Sequence, residues 1–481
     1  MKKLPVLGII GFFCVLFSLS VIPPALVSLW YGDGEANHFA LSFVVIFVLG
    51  LALWLPARGR LSDFKRRDGF IIVTLFWVVL SLLSAIPLAL SPHFNFVDAF
   101  FEAVSGFTTT GATVIIGLDQ LPPSILFYRG ELQWLGGMGL IVLAVAMMPV
   151  LGIGGMQLYK AEAPGPMKED KLKPRLAQTA RTLWLIYTGL TLACALSYWF
   201  AGMNLFDAIV HSFATISTGG FSTHDASFGF FNSPLIDAIG IVFMLAGGIN
   251  FAVHYYALAG FTLRPYWRDT EVRAFLVIIV VAVVVIAFVL WLLGTYEHPY
   301  DAMINSVFEV VSVITSTGFG TADFSSWPSF LPVMLIFMSF IGGCGGSTAG
   351  GIKVSRVLLL LKYGTREIHY LIHPHARRPL RIGKQIMSHR VNEAISGFFS
   401  VYVVTFALLT LVMMAAGLDQ VSAFAAIATC MNNLGPGLGE VAVTFSSVSD
   451  FGKMIGSLAM LLGRLEIFTM LVMLTPAFWH D

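Results

Sequence analysis

The stretch Asp98–Gly111, DAFFEAVSGFTTTG, decides the fold because its pattern returns along the chain. The three further copies are DAIVHSFATISTGG at Asp207–Gly220, NSVFEVVSVITSTG at Asn305–Gly318 and SAFAAIATCMNNLG at Ser422–Gly435. Each is an apolar run that ends in small and polar residues and then glycine. Glu309 precedes its glycine at the same distance as Glu102 precedes Gly111. Repetition on this scale predicts one supersecondary unit used four times.

The composition around these stretches predicts an integral membrane protein. The 481 residues are 57% hydrophobic and 11% charged, with a mean hydropathy of +0.83, whereas a soluble domain carries about 25% charged residues. Segments long enough to cross about 30 Å of hydrocarbon lie near 6–30, 38–57, 69–91, 125–151, 181–201, 235–262, 272–296, 330–361, 393–417 and 452–478. The net charge of +1 argues against nucleic acid as a partner.

The four repeated stretches are too short to cross a membrane. They are predicted to be re-entrant half-helices near 98–109, 206–217, 301–316 and 420–432. Lys and Arg concentrate in 58–67, 160–181, 264–273 and 353–390, and such basic loops face the cytoplasm. This orientation predicts a multi-pass protein with both termini inside and the half-helices on the outer side.

The repeats divide the chain into five predicted parts. A transmembrane helix pair takes residues 1–60, and pore repeats 1 to 4 take 61–160, 161–265, 266–375 and 376–481. Each repeat holds a span, a half-helix, a glycine-containing loop and a second span. A glycine site is expected to interrupt each second span, at Gly136-Gly137, Gly247-Gly248, Gly342-Gly343 and Gly463. The predicted fold is all-α, with four repeats around a pseudo-fourfold axis.

Four half-helices around one axis would form a pathway for a cation. Each ends near the middle of the membrane, where its C-terminal half-charge of about −0.5 favours a positive ion. Irregular backbone at this depth is tolerated only where it lines a polar pathway, and rings of backbone carbonyls replace the hydration shell of potassium. The pattern therefore predicts an ion pore.

The loops after the half-helices carry recognisable motifs. They read TTTGAT at 108–113, STGGFST at 217–223, STGFGT at 316–321 and NNLGPG at 432–437. Two further motifs are QWLGGMG at 133–139 and GGSTAGGIK at 345–353. Over nearly the whole chain, these motifs resemble the TrkH branch of the Trk/Ktr/HKT superfamily of potassium transporters.

The resemblance implies a selectivity filter with one key glycine per repeat. The key glycines are Gly111, Gly220, Gly318 and Gly435, and glycine rather than serine in the first repeat favours potassium over sodium. The potassium-binding carbonyls are expected near Thr110, Gly111, Gly219, Gly220, Thr317, Gly318, Leu434 and Gly435. Potassium would be the substrate, and no cofactor is expected on this chain.

The resemblance also implies a gate below the filter. The glycines of GGCGGSTAGG at Gly342–Gly351 disfavour a continuous helix, since each costs about 1 kcal/mol relative to alanine. An intramembrane loop there and a pore-facing arginine are expected to obstruct the path. The expected gating residues are Gly342, Gly343, Gly345, Gly346, Ser347, Thr348, Gly350, Gly351, Lys353 and Arg464.

The resemblance implies a location in the bacterial inner membrane, and it implies partners as well. A homodimer is expected, docked on a cytosolic ring of nucleotide-binding regulatory subunits similar to TrkA. The chain itself has no Walker or dinucleotide fingerprint, so any nucleotide control would come from that ring through the basic inner loops.

Alternatives remain at the level of function and of residues. A sodium-selective or cation-coupled symporter is the first alternative, and a membrane-embedded enzyme is the second. Arg464 could instead form a structural ion pair with Glu466 or a repeat carboxylate. The acidic residues Asp98, Glu102, Asp207 and Glu309 suit the outer ends of the half-helices or a proton relay. His211 and His254 would serve a haem or metal only if paired.

Overall fold

Helices build this chain, as expected where hydrocarbon offers the backbone no hydrogen-bond partners. The computed structural model describes residues 3–57, 66–151, 176–373, 381–382, 385–386 and 389–479. The first helices are α1 (Lys3–Ser18), α2 (Ile22–Tyr31) and α3 (Ala36–Trp54), with a 3₁₀ turn at Leu19–Val21 that continues α1 into α2. Gly8 and Gly11 of α1 pack against the end of α3 and the 3₁₀ turn after it (Leu55–Ala57), the kind of small-residue contact that lets membrane helices approach closely.

Four helical units follow the N-terminal helices. The first holds α4 (Arg66–Leu90), α5 (Phe96–Phe107) and α6 (Pro123–Leu151). The second holds α7 (Leu176–Phe200), α8 (Leu205–Ile216), α9 (Pro234–Gly248), α10 (Phe251–Gly260) and α11 (Arg264–Arg268). The third holds α12 (Thr270–Leu292), α13 (Pro299–Ile314), α14 (Leu331–Ile341) and α15 (Val354–Ile372). The fourth holds α16 (His389–Ala415), α17 (Gln420–Asn432), α18 (Asp450–Arg464), α19 (Phe468–Leu474) and α20 (Pro476–Trp479).

The element order confirms the predicted all-α class and the four half-helices α5, α8, α13 and α17. Within the described residues, the only strands are the two-residue β1 (Arg381–Ile382) and β2 (Gln385–Ile386), which pair antiparallel. Six described helices are long and apolar enough to cross a membrane, or seven if α9 and α10 count as one bent span. The chain is therefore a multi-pass membrane protein. The exact repeat boundaries stay a prediction.

Three of the four second spans agree with the sequence expectation of an interruption, and one does not. Three are interrupted as predicted: α9 and α10 meet at a bend of 103°, residues 342–353 separate α14 from α15, and residues 465–467 separate α18 from α19. The predicted interruption at Gly136-Gly137 is wrong, because α6 runs through it unbroken. A Cβ on Gly136 would lie 1.8 Å from the carbonyl oxygen of Phe107, so this glycine serves a close helix contact.

Candidate ion pathway

The four half-helices end in the same backbone motif. The residue two positions before each key glycine has a left-handed φ: 57° at Thr109, 53° at Thr218, 55° at Ser316 and 52° at Asn433. The next N–H bonds back to a carbonyl five residues earlier, from Thr110 to Ser105, Gly219 to Ala214, Thr317 to Ser312 and Leu434 to Thr429. This is a Schellman motif, which ends a helix in a sharp turn. Non-glycine residues rarely adopt this φ, so its recurrence marks all four units as equivalent, including the fourth.

The loops beyond these turns meet in a closed ring. We name them loop 1 (108–113), loop 2 (217–223), loop 3 (316–321) and loop 4 (432–437). A Cβ added to Gly111 would lie 2.1 Å from Gly219 O, one on Gly220 1.8 Å from Thr317 O, one on Gly318 2.7 Å from Pro436 Cδ, and one on Gly435 2.7 Å from Gly111 O. Real Cβ atoms essentially never lie within 3.0 Å of a non-bonded atom from another part of the chain. Glycine at each key position is what lets one loop touch the next.

The eight predicted filter residues all lie in this ring. Three of the key glycines, Gly111, Gly220 and Gly318, have left-handed φ values of 82°, 79° and 82° and keep partial exposure. Gly435 is buried and has no left-handed φ, so only its close contact with loop 1 requires glycine. All four key glycines therefore contact the next loop, and Gly435 differs from the other three in backbone conformation and burial.

Carboxylates in the middle of two half-helices hold the ends of loops 1 and 3 and the chain just beyond them. Glu102 accepts hydrogen bonds from Thr113 Oγ1 at 3.0 Å and from the N–H of Val114 at 3.1 Å. Glu309 accepts one from the N–H of Thr321 at 2.9 Å. Both side chains are buried. Their position differs from the expected outer helix ends, and their contacts brace loops 1 and 3.

The other two half-helices make the equivalent contacts with side chains that are not carboxylates. His211 stands where Glu102 stands in the first unit, and its Nε2 lies 3.0 Å from Ser222 Oγ. Ser422 of the fourth half-helix accepts a hydrogen bond from the N–H of Glu440 at 2.9 Å. Each unit therefore ties its half-helix to its loop or to the chain just beyond that loop.

Asp98 and Asp207 lie near the N-termini of their half-helices. Asn95 and Asn204 cap these helices, and each accepts a hydrogen bond at 2.8 Å from the N–H of the aspartate three residues later. Such caps satisfy backbone donors that the first helical turn leaves free. Asp98 also pairs with Lys453 Nζ at 2.7 Å, which joins the first half-helix to α18.

Two side chains of α6 that were not among the predicted site residues reach the ring. Arg129 donates from Nε to Glu102 at 2.8 Å and from Nη1 to Ser222 O at 3.2 Å. Gln133 donates from Nε2 to Gly219 O at 2.6 Å. They are four residues apart and so share one helix face. Two buried polar side chains on one face of an apolar span were the available signal.

The segment 342–353 packs against loops 3 and 4. The N–H of Gly350 donates to Ser316 Oγ at 2.6 Å, and a Cβ on Gly350 would lie 2.0 Å from Asn432 O. Loops 3 and 4 thus rest directly on this segment. The expected break in the helix is present, and it lies next to the ring.

Backbone contacts anchor the same segment to the second and third units. The N–H of Cys344 donates to Gly248 O at 2.9 Å, and the N–H of Thr348 donates to Gly247 O at 3.2 Å. Glu271 accepts from the N–H of Gly345 at 2.8 Å. Lys353 Nζ bonds back to Ala349 O. The glycines predicted for gating therefore lie in a segment fixed at several points.

Arg464 ends α18 beside that segment. Its guanidinium donates to Thr348 O at 3.0 Å and to Gly136 O at 3.1 Å, and it lies 5.2 Å from the Trp77 ring centroid. Glu466, one candidate partner for it, forms an ion pair with Arg356. The arginine thus joins α18, α6 and the glycine-rich segment.

A histidine just beyond loop 2 joins the first two units. His224 Nδ1 contacts Asp119, its Nε2 lies 3.1 Å from Asp207 Oδ2, and its ring stacks on Phe230 at 3.5 Å. The hydrogen bond with His224 holds the pKa of Asp119 below its ordinary value.

The two buried histidines are separately satisfied. His211 Nδ1 lies 2.9 Å from Asp207 O, and His254 Nε2 lies 2.9 Å from Ala246 O. In the part of the chain that the structure describes, no group of three or more His, Cys, Asp and Glu residues could hold a metal ion.

Comparison with known proteins identifies the family of this chain. The model of the TrkH family, described as "Cation transport protein", matches residues 35–480. The chain is 51% identical to Trk system potassium uptake protein TrkH of Vibrio parahaemolyticus, covering 99% of each chain. It is 51% identical to the TrkH protein of Escherichia coli K12, covering 98% of each.

A solved structure extends the likeness to three dimensions. The crystal structure of the potassium transporter TrkH from Vibrio parahaemolyticus superposes with a TM-score of 0.92 at 48% identity, covering all of both chains. The family match spans residues 35–480, and the two relatives are 51% identical to the chain over nearly its full length. The chain belongs to the TrkH family of cation transport proteins.

Proposed function

We propose that this chain takes up potassium ions across the inner membrane through the ring formed by loops 1 to 4. The observation that carries the proposal is the closed ring itself, in which each key glycine touches the next loop. Relatives covering the whole chain are named potassium uptake proteins. The chain is a transporter and not an enzyme.

Ion selection is assigned to carbonyls of the ring. Thr110, Gly111, Gly219, Gly220, Thr317, Gly318, Leu434 and Gly435 supply the candidate oxygens. Carbonyl oxygens carry two lone pairs, so one that is hydrogen-bonded within the fold still has a lone pair for an ion. Potassium is the transported substrate, and no step requires a resident cofactor.

Gating is assigned to the segment 342–353 and Arg464. The segment touches loops 3 and 4 from the inner side, and Arg464 places a positive charge against it. The Trk system named in the relatives supports a cytosolic partner similar to TrkA. A homodimer on a nucleotide-binding ring, with both termini cytoplasmic, completes the proposal.

The test is rubidium uptake into liposomes containing this protein, competed by potassium or sodium. Potassium should suppress uptake at much lower concentration than sodium. Gly111→Ser should erode that difference, because its Cβ would lie 2.1 Å from Gly219 O. Gly189→Ser is the matched control, since nothing lies within 4 Å of a Cβ there. Equal competition by sodium and potassium, unchanged by Gly111→Ser, would favour the symporter alternative.

A further inference from the structure

Gln133 makes two hydrogen bonds to one loop of the ring. Its Nε2 donates to Gly219 O at 2.6 Å, and its Oε1 accepts from the N–H of Phe221 at 3.0 Å. The side chain is fully buried. The two bonds flank Gly220, the key glycine of loop 2, so a single side chain fixes the peptide groups on both sides of it.

The same side chain lies at the seam between loops 1 and 2. A Cβ on Gly111 would sit 2.1 Å from Gly219 O and 3.7 Å from Gln133 Nε2. The Gly219 carbonyl is therefore confined by loop 1 on one side and by the Gln133 amide on another. Movement of this carbonyl would either break its hydrogen bond to Gln133 or bring it into collision with loop 1.

The helix that carries Gln133 is itself held against the first half-helix. Gly136, three residues on, would place a Cβ 1.8 Å from Phe107 O, and its own carbonyl accepts from Arg464 at 3.1 Å. Gln133 is thus presented to loop 2 from a fixed backbone. A site that must discriminate ions of similar charge needs its ligands held by such supporting contacts.

The other units place different residues three positions before the corresponding glycine. These are Met244, Ser339 and Met460. Ser339 Oγ accepts from Asn432 Nδ2 at 2.8 Å, and the Met460 carbonyl accepts from Asn433 Nδ2 at 3.1 Å. Among these four positions in the described structure, Gln133 alone has a side-chain amide that hydrogen-bonds to loop backbone.

We propose that Gln133 is a positioning residue that sets how well the ring discriminates potassium from sodium. It acts through the Gly219 carbonyl and the Phe221 N–H rather than by touching the ion. The inference rests on the proposed function, because it presupposes that the ring selects the ion.

The decisive variant is Gln133→Met, which keeps the length of the side chain and removes both hydrogen bonds. In liposomes, the sodium concentration that halves rubidium uptake should fall at least about three-fold relative to potassium competition. Met244→Leu, the matched change in the second unit, should keep the parental ratio. Stabilisation of the detergent-purified protein against heat by potassium, compared with sodium, provides a second readout that does not require an open gate.

Each outcome decides the matter. A potassium-selective parent whose selectivity is unchanged in Gln133→Met, or a variant with less uptake at the parental ratio, overturns this inference and leaves the proposed function standing. A parent without potassium preference overturns both. Should Gln133→Met fail to purify as folded protein, Gln133→Asn, which shortens the amide by one methylene, replaces it: an altered ratio supports the inference and the parental ratio overturns it.

Discussion

Gly220 lies so close to Thr317 that a Cβ on the glycine would sit 1.8 Å from the threonine carbonyl oxygen. This is the tightest contact between neighbouring loops of the ring, and it joins loops 2 and 3. It also coincides with a left-handed φ of 79° at Gly220. Position 220 therefore requires glycine for two independent reasons, the close contact with Thr317 and the left-handed backbone.

We expect Gly220→Ala to abolish selective potassium uptake while the helices remain folded. The methyl group would force loops 2 and 3 apart, and the left-handed backbone would add about 1–2 kcal/mol of strain. Rubidium uptake into liposomes measures the first effect. Gly189→Ala, at a glycine with open space around it, should transport as the parent does, and equal behaviour of the two variants would contradict the closed ring.

Removal of one partner of the buried Arg129–Glu102 pair should destabilise the protein strongly. Both side chains are almost completely buried, with 2.8 Å between Arg129 Nε and Glu102 Oε1. An uncompensated buried charge costs about 3–5 kcal/mol, so Arg129→Met and Glu102→Gln should each lower the thermal unfolding midpoint in detergent. The double variant should cost clearly less than the two single changes together. Additive losses would mean that the two groups do not interact.

The contact between Asp119 and His224 should make stability depend on acid pH. The folded pKa of Asp119 is lowered by its hydrogen bond to His224. The stabilisation is therefore complete above the ordinary aspartate pKa of about 4 and is lost as pH falls through the lower folded pKa. Asp119→Asn should flatten the acid fall of the unfolding midpoint between about pH 5 and pH 3. An unchanged acid profile would argue against the contact in solution.

Arg464→Gln should raise potassium uptake in liposomes without any cytosolic partner. Two unit charges about 6 Å apart repel each other by about 3 kcal/mol at an effective dielectric constant of about 20, so an arginine beside the path would hinder a passing cation. Loss of that charge should raise uptake about ten-fold or more. Arg264→Gln changes an exposed arginine of α11 and serves as control. Uptake that stays parental in Arg464→Gln would assign the arginine a structural role.

The sequence pattern predicted the repeat better than it predicted the contacts between repeats. The half-helices and key glycines could be placed because apolar run, polar turn and glycine are local signals. The fourth loop shares little identity with the first, yet Asn433 has the same left-handed backbone as Thr109. Backbone conformation is preserved there by residues of different type.

The contacts between units could not be read from local pattern. Gln133 reaches Gly219 across a long stretch of sequence, and no spacing rule connects them. The expected interruption at Gly136-Gly137 was wrong for the same reason. A glycine that breaks a helix and a glycine that admits a neighbouring backbone are identical in sequence, and only the position of Phe107 distinguishes them.

One polypeptide supplies every quarter of the ring, and the four seams are chemically different. A channel built from four identical subunits changes four places at once with each mutation. Here a single substitution alters one seam and leaves three intact. A transporter built in this way can evolve in small steps, so properties that depend on different seams can be adjusted separately within one gene product.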